Sequence, residues 1–291
     1  MKPDWRLIEL ENRGLFVQST RFLGEGWCSR AYLVNDELVF RFPKRPEQWK
    51  ELDREIKFLA FAGDHLTLAV PRYIHAAPVS PGAAHGYAVY RYLSGHPMDA
   101  TALTHDDRAA AADRIAAFLR GLHDLEPNPE VGSLLPQDDE RIVATQCFAR
   151  AEREIAPKLR PLEARALHKQ FEMHLSAPAN FSFRPVVLHA DFSGDHILMD
   201  NNSVVAVIDF GDVNWGDPDY DFVYLFREFG EAFVKAVARS YGHPDLEQLR
   251  IKLKYFDLVD QVDTILNGVG YALEGQENMA WRRLKQLLRT T

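Results

Sequence analysis

The sequence predicts an α+β protein of two lobes, a small β-rich lobe over residues 1–95 and a larger, mostly helical lobe over 96–291. Three observations carry that reading. Short apolar runs broken by glycine, proline and an Asn-Asp pair crowd the first third of the chain. Beyond it the apolar spacing lengthens to three and four residues, the period of one buried helix face. Among the helical stretches lies one island of strand-like runs, RPVVLHADFSGDHILMDNNSVVAVIDFGD, punctuated by aspartates. Strands gathered at one end and helices at the other make an α+β architecture the natural solution.

Taken in order, RLIELENRGLFVQSTRFLGEG reads as a lead-in followed by a strand, and AYLVNDELVFRF as a hairpin turning at Asn35-Asp36. After Pro43 and Pro46, Trp49, Leu52, Ile56 and Leu59 define the buried stripe of a helix, and Glu55 shares its inward edge. PRYIHAAP and GYAVYRYLSG add two strands, giving five strands and one helix that end near Gly95. HDDRAAAADRIAAFLRGLHDL has an acidic first turn and a stripe through Ala112, Ile115, Phe118, Leu119 and Leu122. Further helices are expected near 138–157, 160–175, 219–240 and 245–289. The runs PVVL, HILM and VVAVI are expected as strands.

The bulk properties narrow the function. Of 291 residues, 46% are hydrophobic and 26% charged, as in ordinary globular proteins. Thirty-four basic against 42 acidic residues give a net charge of −8, which disfavours nucleic acid and anionic membrane as partners and favours a cationic small molecule. The start MKPDWRLIELENRG lacks the apolar centre of a secretory signal, and no stretch approaches the roughly 20 apolar residues of a membrane span, so a cytoplasmic protein is expected. Cys28 and Cys147 have no metal-ligand spacing and read as reduced thiols.

The aspartates are the strongest functional signal. Asp191, Asp195, Asp200, Asp209, Asp212, Asp217, Asp219 and Asp221 fall in one window that holds no lysine or arginine. Such carboxylates repel one another unless a metal or cationic ligand joins them. Asp191, His196 and Asp209 stand at the ends of strand-like runs, where a rigid scaffold commonly presents catalytic groups. Phosphoryl transfer needs few groups: a carboxylate to take the attacking hydroxyl's proton, ligands for Mg²⁺ and a cradle of donors for the phosphates. Aspartate is also a common turn and cap residue, and Asp200, Asp212 and Asp219 are read that way. Asp217 and Asp221 are expected to brace the loop or cap the next helix, and His189 to hold the loop by a hydrogen bond.

LHADFSGDHILMD, VVAVIDFGD and GDPDYDF together resemble the catalytic and metal-binding segments of the aminoglycoside phosphotransferases, a family with the protein-kinase-like fold. The ending GDHIL is most similar to the 2″-phosphotransferase branch. The resemblance implies transfer of the γ-phosphoryl group of ATP or GTP to an aminoglycoside hydroxyl with Mg²⁺, conferring antibiotic resistance as a monomer. It gives Asp191 the role of base and Asp209 that of metal ligand. His196 stands where most relatives have asparagine, so it is carried over as a ligand, a holder of a metal-bound water or a buttress of Asp191. A macrolide phosphotransferase, whose loop is similar, and a nucleotide-binding module without catalysis are the alternatives.

Gly24 and Gly26 in FLGEGWCSRAYLV form a Gly-x-Gly pair whose backbone can approach phosphates closely, together with Ser29. Arg41 occupies the place of the strand lysine of kinase-like proteins, with Glu55 as its helix partner and Lys44 as the competing cation. YAVYRYLSGHP fits the linker that meets the purine through Tyr92 and Leu93, with Tyr90 behind and Ile208 also lining the nucleotide site. For the cationic substrate the candidates are Asp195, Asp263 and Glu274. Glu228, Glu231, Asp257 and Asp260 read as water-facing helix acids.

Overall fold

The computed structural model describes residues 3–11, 14–78, 86–99, 103–267 and 275–289. In chain order its strands are β1 (Thr20–Glu25), β2 (Ser29–Val34), β3 (Leu38–Pro43), β4 (Tyr73–Ala77), β5 (Tyr87–Arg91), β6 (His96–Pro97), β7 (Val186–Leu188), β8 (Ile197–Asp200), β9 (Ser203–Val207) and β10 (Asn214–Gly216). Its helices are α1 (Trp5–Glu11), α2 (Trp49–Ala62), α3 (His105–His123), α4 (Pro129–Gly132), α5 (Glu140–Glu154), α6 (Pro161–Ser176), α7 (Val223–Tyr241), α8 (Leu246–Asn267) and α9 (Gln276–Arg289). The chain divides into two compact units, one of residues 1–98, 125–135 and 195–213, the other of 99–124, 136–194 and 214–291.

The first unit is built on an antiparallel sheet in the order β1-β2-β3-β5-β4. Asn35 and Asp36 both have φ of 54°, the left-handed pair that a two-residue hairpin turn requires. Alternation along β3 sends Phe40 and Phe42 to one face, where they meet Val34, Tyr87 and Val89, and Val39 to the other beside Leu33 and Tyr90. Helix α1 was not foreseen. Its seven residues are too few to show a period, yet Trp5 packs edge-on against Tyr32, Phe40 and Phe42, and Ile8 is buried beneath the sheet. A second sheet, β6-β8-β9, turns at Asn201 and Asn202, again with positive φ.

The second unit is mostly helical. Thr104 and Asp107 cap α3 reciprocally, and Ile115, Phe118, Leu119 and Leu122 are fully buried, the stripe expected from sequence. Helix α7 begins four residues later than expected because Asp217 caps a tight 3-10 turn over Pro218–Phe222. It is also broken at Gly230, whose φ of 82° only glycine adopts freely. The single helix expected over 245–289 is two, α8 and α9. Strand β10, three residues long and paired with β7, was too short to read from sequence.

Candidate active site

The candidate groups divide among the two units, and in the first they meet at Arg41. This side chain is 8% exposed. Its Nη1 donates to both carboxylate oxygens of Glu55 at 2.8 Å, and Nε and Nη2 donate to Ser29 Oγ at 3.2 and 3.0 Å. Nη2 also reaches Asp209 Oδ1 at 2.9 Å. Burial disfavours the guanidinium charge, but Asp209 and Glu55 outweigh it and hold the group protonated. Burial pushes the Glu55 carboxyl up against the pull of Arg41, and Tyr73 Oη donates to Glu55 Oε1 at 2.9 Å.

This geometry separates Arg41 from Lys44. Arg41 shares its face of the sheet with Val39, whereas Lys44 Nζ pairs with Glu25 at 2.7 Å, and Glu25 also binds Arg30. That double pairing lowers the Glu25 carboxyl to about 2. The β1–β2 turn closes through Gly26 N donating to Ser29 O, and a Cβ at Gly24 or Gly26 would meet nothing within 4 Å, so both backbones are open to approach. Tyr92 N donates to Glu37 O at 2.7 Å, tying the start of the linker to the β2–β3 turn.

Asp209 sits at φ of 64°, a left-handed conformation costly for a non-glycine residue and typical of strained functional loops. Its Oδ2 lies 3.7 Å from His196 Nε2. Ile208 N donates to His196 O at 2.9 Å, tying the two loops together, and Arg54 Nη2 anchors Gly211 O at 2.6 Å. Among the described residues no three His, Cys, Asp or Glu gather as a metal site. The Asp209 carboxylate suits Mg²⁺, a hard cation that keeps waters and accepts substrate phosphates, whereas the His196 imidazole suits it less as a direct ligand than as the holder of a metal-bound water.

In the second unit the loop 189–194 is pinned from several sides. The carboxylate of Asp221, fully buried, accepts His189 N at 2.9 Å and Ala190 N at 2.8 Å. Asp191 N lies 3.3 Å from His189 Nδ1, the scaffold role expected for that histidine, and Ser193 N donates to Asp191 O. Phe192 stacks on Phe118 with centroids 5.7 Å apart, and Gly194 N donates to Glu228 Oε2 at 2.7 Å.

The phosphotransferase enzyme family (APH) matches residues 19–251. The chain belongs to this family. Aminoglycoside 3'-phosphotransferases of Escherichia coli and Salmonella typhimurium are 34% identical to it over 87 residues, so the chain spans about a third of the length of these relatives, 31%. The structure of the GDP and kanamycin complex of APH(2")-IIia matches 99% of this chain and 98% of its own at 28% identity and a TM-score of 0.91. The GDP complex of wild-type aminoglycoside 2'-phosphotransferase-IIIa matches with the same score at 26% identity, covering 98% and 97%. The fold of the chain is thus the kinase-like one, with a β-sheet region followed by a larger helical region.

One expectation about the aspartates does not hold. Partners distant in sequence neutralise several of them: Arg41 pairs with Asp209, Lys252 with Asp217 and Asp219 at 2.5 Å each, and His243 with Asp219 at 2.8 Å. Asp257 and Asp260 are likewise not water-facing. Arg227 holds both, Arg283 holds Asp257, and Tyr220 donates to Asp260. Glu228 grips the loop at Gly194. Asp195 is exposed on the short turn Gly194–His196. Asp263 is exposed near the end of α8, accepting from Asn267 Nδ2 at 2.6 Å, and Glu274 lies outside the described residues.

Proposed function

We propose that this phosphotransferase moves the γ-phosphoryl group of ATP or GTP onto an aminoglycoside hydroxyl, the 2″-hydroxyl, as a cytoplasmic monomer that confers antibiotic resistance. The observation that carries the reading is the Arg41 cluster: a buried cation gripping Glu55 and Asp209 at once, beside a Gly-x-Gly turn with open backbone. The full-length likeness to a kanamycin and GDP complex supports the same substrate class. No described helix is long and apolar enough to cross a membrane.

Residues 1–95 would hold the nucleotide and 96–291 the substrate and catalytic loop. The amides of Gly24 and Gly26 and the Ser29 hydroxyl would contact the phosphates, with Arg41 behind them. The Glu55 carboxylate keeps Arg41 oriented, while Tyr92, Leu93 and Ile208 would border the base. Asp209 and His196 would hold Mg²⁺, which when bound neutralises charge on the terminal phosphates. Asp191 would orient the attacking hydroxyl and accept its proton, a task that needs only an ionised carboxylate within hydrogen-bond reach. Asp195, Asp263 and Glu274 would meet the ammonium groups of the antibiotic.

The test is turnover of ATP and of GTP with Mg²⁺ and a panel of aminoglycosides and macrolides. Nucleotide consumption dependent on an aminoglycoside supports the proposal. Consumption dependent only on a macrolide moves the assignment to that class, and nucleotide binding without consumption on any of them makes the chain a binding module.

A further inference from the structure

Ala190, the residue before the proposed base, has φ of 65°. A residue with a Cβ rests there only when its surroundings over-determine it. The strongest constraint on it is Asp221, whose Oδ1 accepts Ala190 N and whose Oδ2 accepts His189 N. Asp221 is itself held by a third group. His123 Nε2, at the end of α3, lies 3.1 Å from Asp221 Oδ2, and both side chains are almost wholly buried, at 2% and 0% exposure. A carboxylate already accepting two backbone N–H bonds accepts here too, so Nε2 carries the proton. His123 Nδ1 lies 3.0 Å from the Tyr241 hydroxyl at the end of α7, and the two rings meet edge-on.

We propose that His123, oriented by Tyr241, is a positioning residue for the catalytic loop: it fixes the Asp221 carboxylate in the one orientation that holds Ala190 left-handed and so aims Asp191. It touches no substrate. The argument rests on Asp191 being the base of the proposed reaction, but its structural half, the anchoring of 189 and 190, stands without that reading. Two helix ends far apart in sequence, Leu122-His123 and Ser240-Tyr241, thereby set the geometry of a loop neither belongs to. Reorienting a reacting group by about 1 Å costs on the order of 100-fold in rate, so the effect should appear in turnover and not in affinity.

The experiment compares His123→Ala, His123→Gln and Tyr241→Phe with the wild-type chain by amide hydrogen exchange at 189–191 and by steady-state kinetics. Glutamine places an N–H donor near the position of Nε2. Expected in His123→Ala are exchange at His189 and Ala190 faster by about tenfold or more and kcat lower by about 10- to 100-fold, with KM for nucleotide and antibiotic unchanged. His123→Gln should restore most of both, and Tyr241→Phe should show a smaller change of the same kind. Ala190→Gly in the His123→Ala background should recover part of kcat, since glycine adopts positive φ without strain. Unchanged exchange in both His123→Ala and Tyr241→Phe overturns the anchoring, as does a loss that appears in KM alone or that His123→Gln does not restore. Should His123→Ala fail to fold, Tyr241→Phe and His123→Gln decide alone. If the wild-type chain turns over no substrate, the exchange result still judges the anchoring, and the proposed reaction is what has failed.

Discussion

Replacing Arg41 by methionine removes the one cation that Glu55 and Asp209 share while keeping a side chain of similar length. Glu55 is 1% exposed and would remain as a buried carboxylate held by the Tyr73 hydroxyl at 2.9 Å and by a backbone hydrogen bond from Phe210. Breaking a buried ion pair from one side costs about 3–5 kcal/mol, and the surviving bonds from Tyr73 and Phe210 place the expected loss at about 3. At about 2–4 °C per kcal/mol for a chain of this size, Tm should fall by roughly 6–12 °C. The loss should also depend on pH. Burial already raises the Glu55 carboxyl and Arg41 opposes it, so without Arg41 it rises further above its unfolded value of about 4.3. A group raised on folding contributes stability that is present below its unfolded value and lost as pH climbs towards its folded one, by up to about 1.4 kcal/mol per pH unit. Urea unfolding of wild type and variant at pH 5 and pH 8 should therefore show the larger deficit at pH 8. A deficit under about 1 kcal/mol, or one that is larger at pH 5, would refute this account of the cluster.

Asp191→Asn should fold and bind nucleotide normally while kcat drops by about 10²- to 10⁴-fold, read from steady-state turnover and nucleotide titration. Lys252→Met removes the ammonium group that Asp217 and Asp219 share, leaving Asp219 its hydrogen bond with His243, and should cost about 3–5 kcal/mol in urea unfolding. Glu140, raised to about 7 by burial and then by Asp217 and Asp138, lies against the backbone of Gly216. Its contribution to stability is lost as pH rises from its ordinary 4.5 towards about 7, so Glu140→Gln should be more stable than wild type at pH 8 and not at pH 5, by at most about 3 kcal/mol. Unfolding curves at the two pH values check it.

What was legible in the sequence was local. The Asn35-Asp36 turn and the stripe of α3 depend on neighbours within a few residues and stand where expected, while in α2 Leu52, Glu55 and Leu59 are buried as expected but Trp49 and Ile56 are half-buried and Phe58 and Ala62 complete the inner face. The pairing of Arg41 with Glu55 was legible through the resemblance to kinase-like proteins, in which the strand cation pairs with a helix glutamate. The partners of the aspartates were not, since Lys252, His123 and His243 lie 22 or more residues from the carboxylates they bind. The same distance hid Arg227 and Arg283 behind Asp257, a residue that composition alone assigns to the surface. Gly230 was silent for another reason: a glycine within an apolar period does not announce the positive φ that breaks α7.

The proposed role of Asp191, activating an antibiotic hydroxyl for attack on a nucleotide, is read by mass spectrometry with NMR of kanamycin incubated with the chain, Mg²⁺ and GTP or ATP. The account predicts kanamycin carrying one phosphate on its 2″ oxygen with wild type, and unmodified kanamycin with Asp191→Asn over the same interval. Phosphorylated kanamycin from both chains at equal rates, or nucleotide diphosphate released with the antibiotic unchanged, would contradict it.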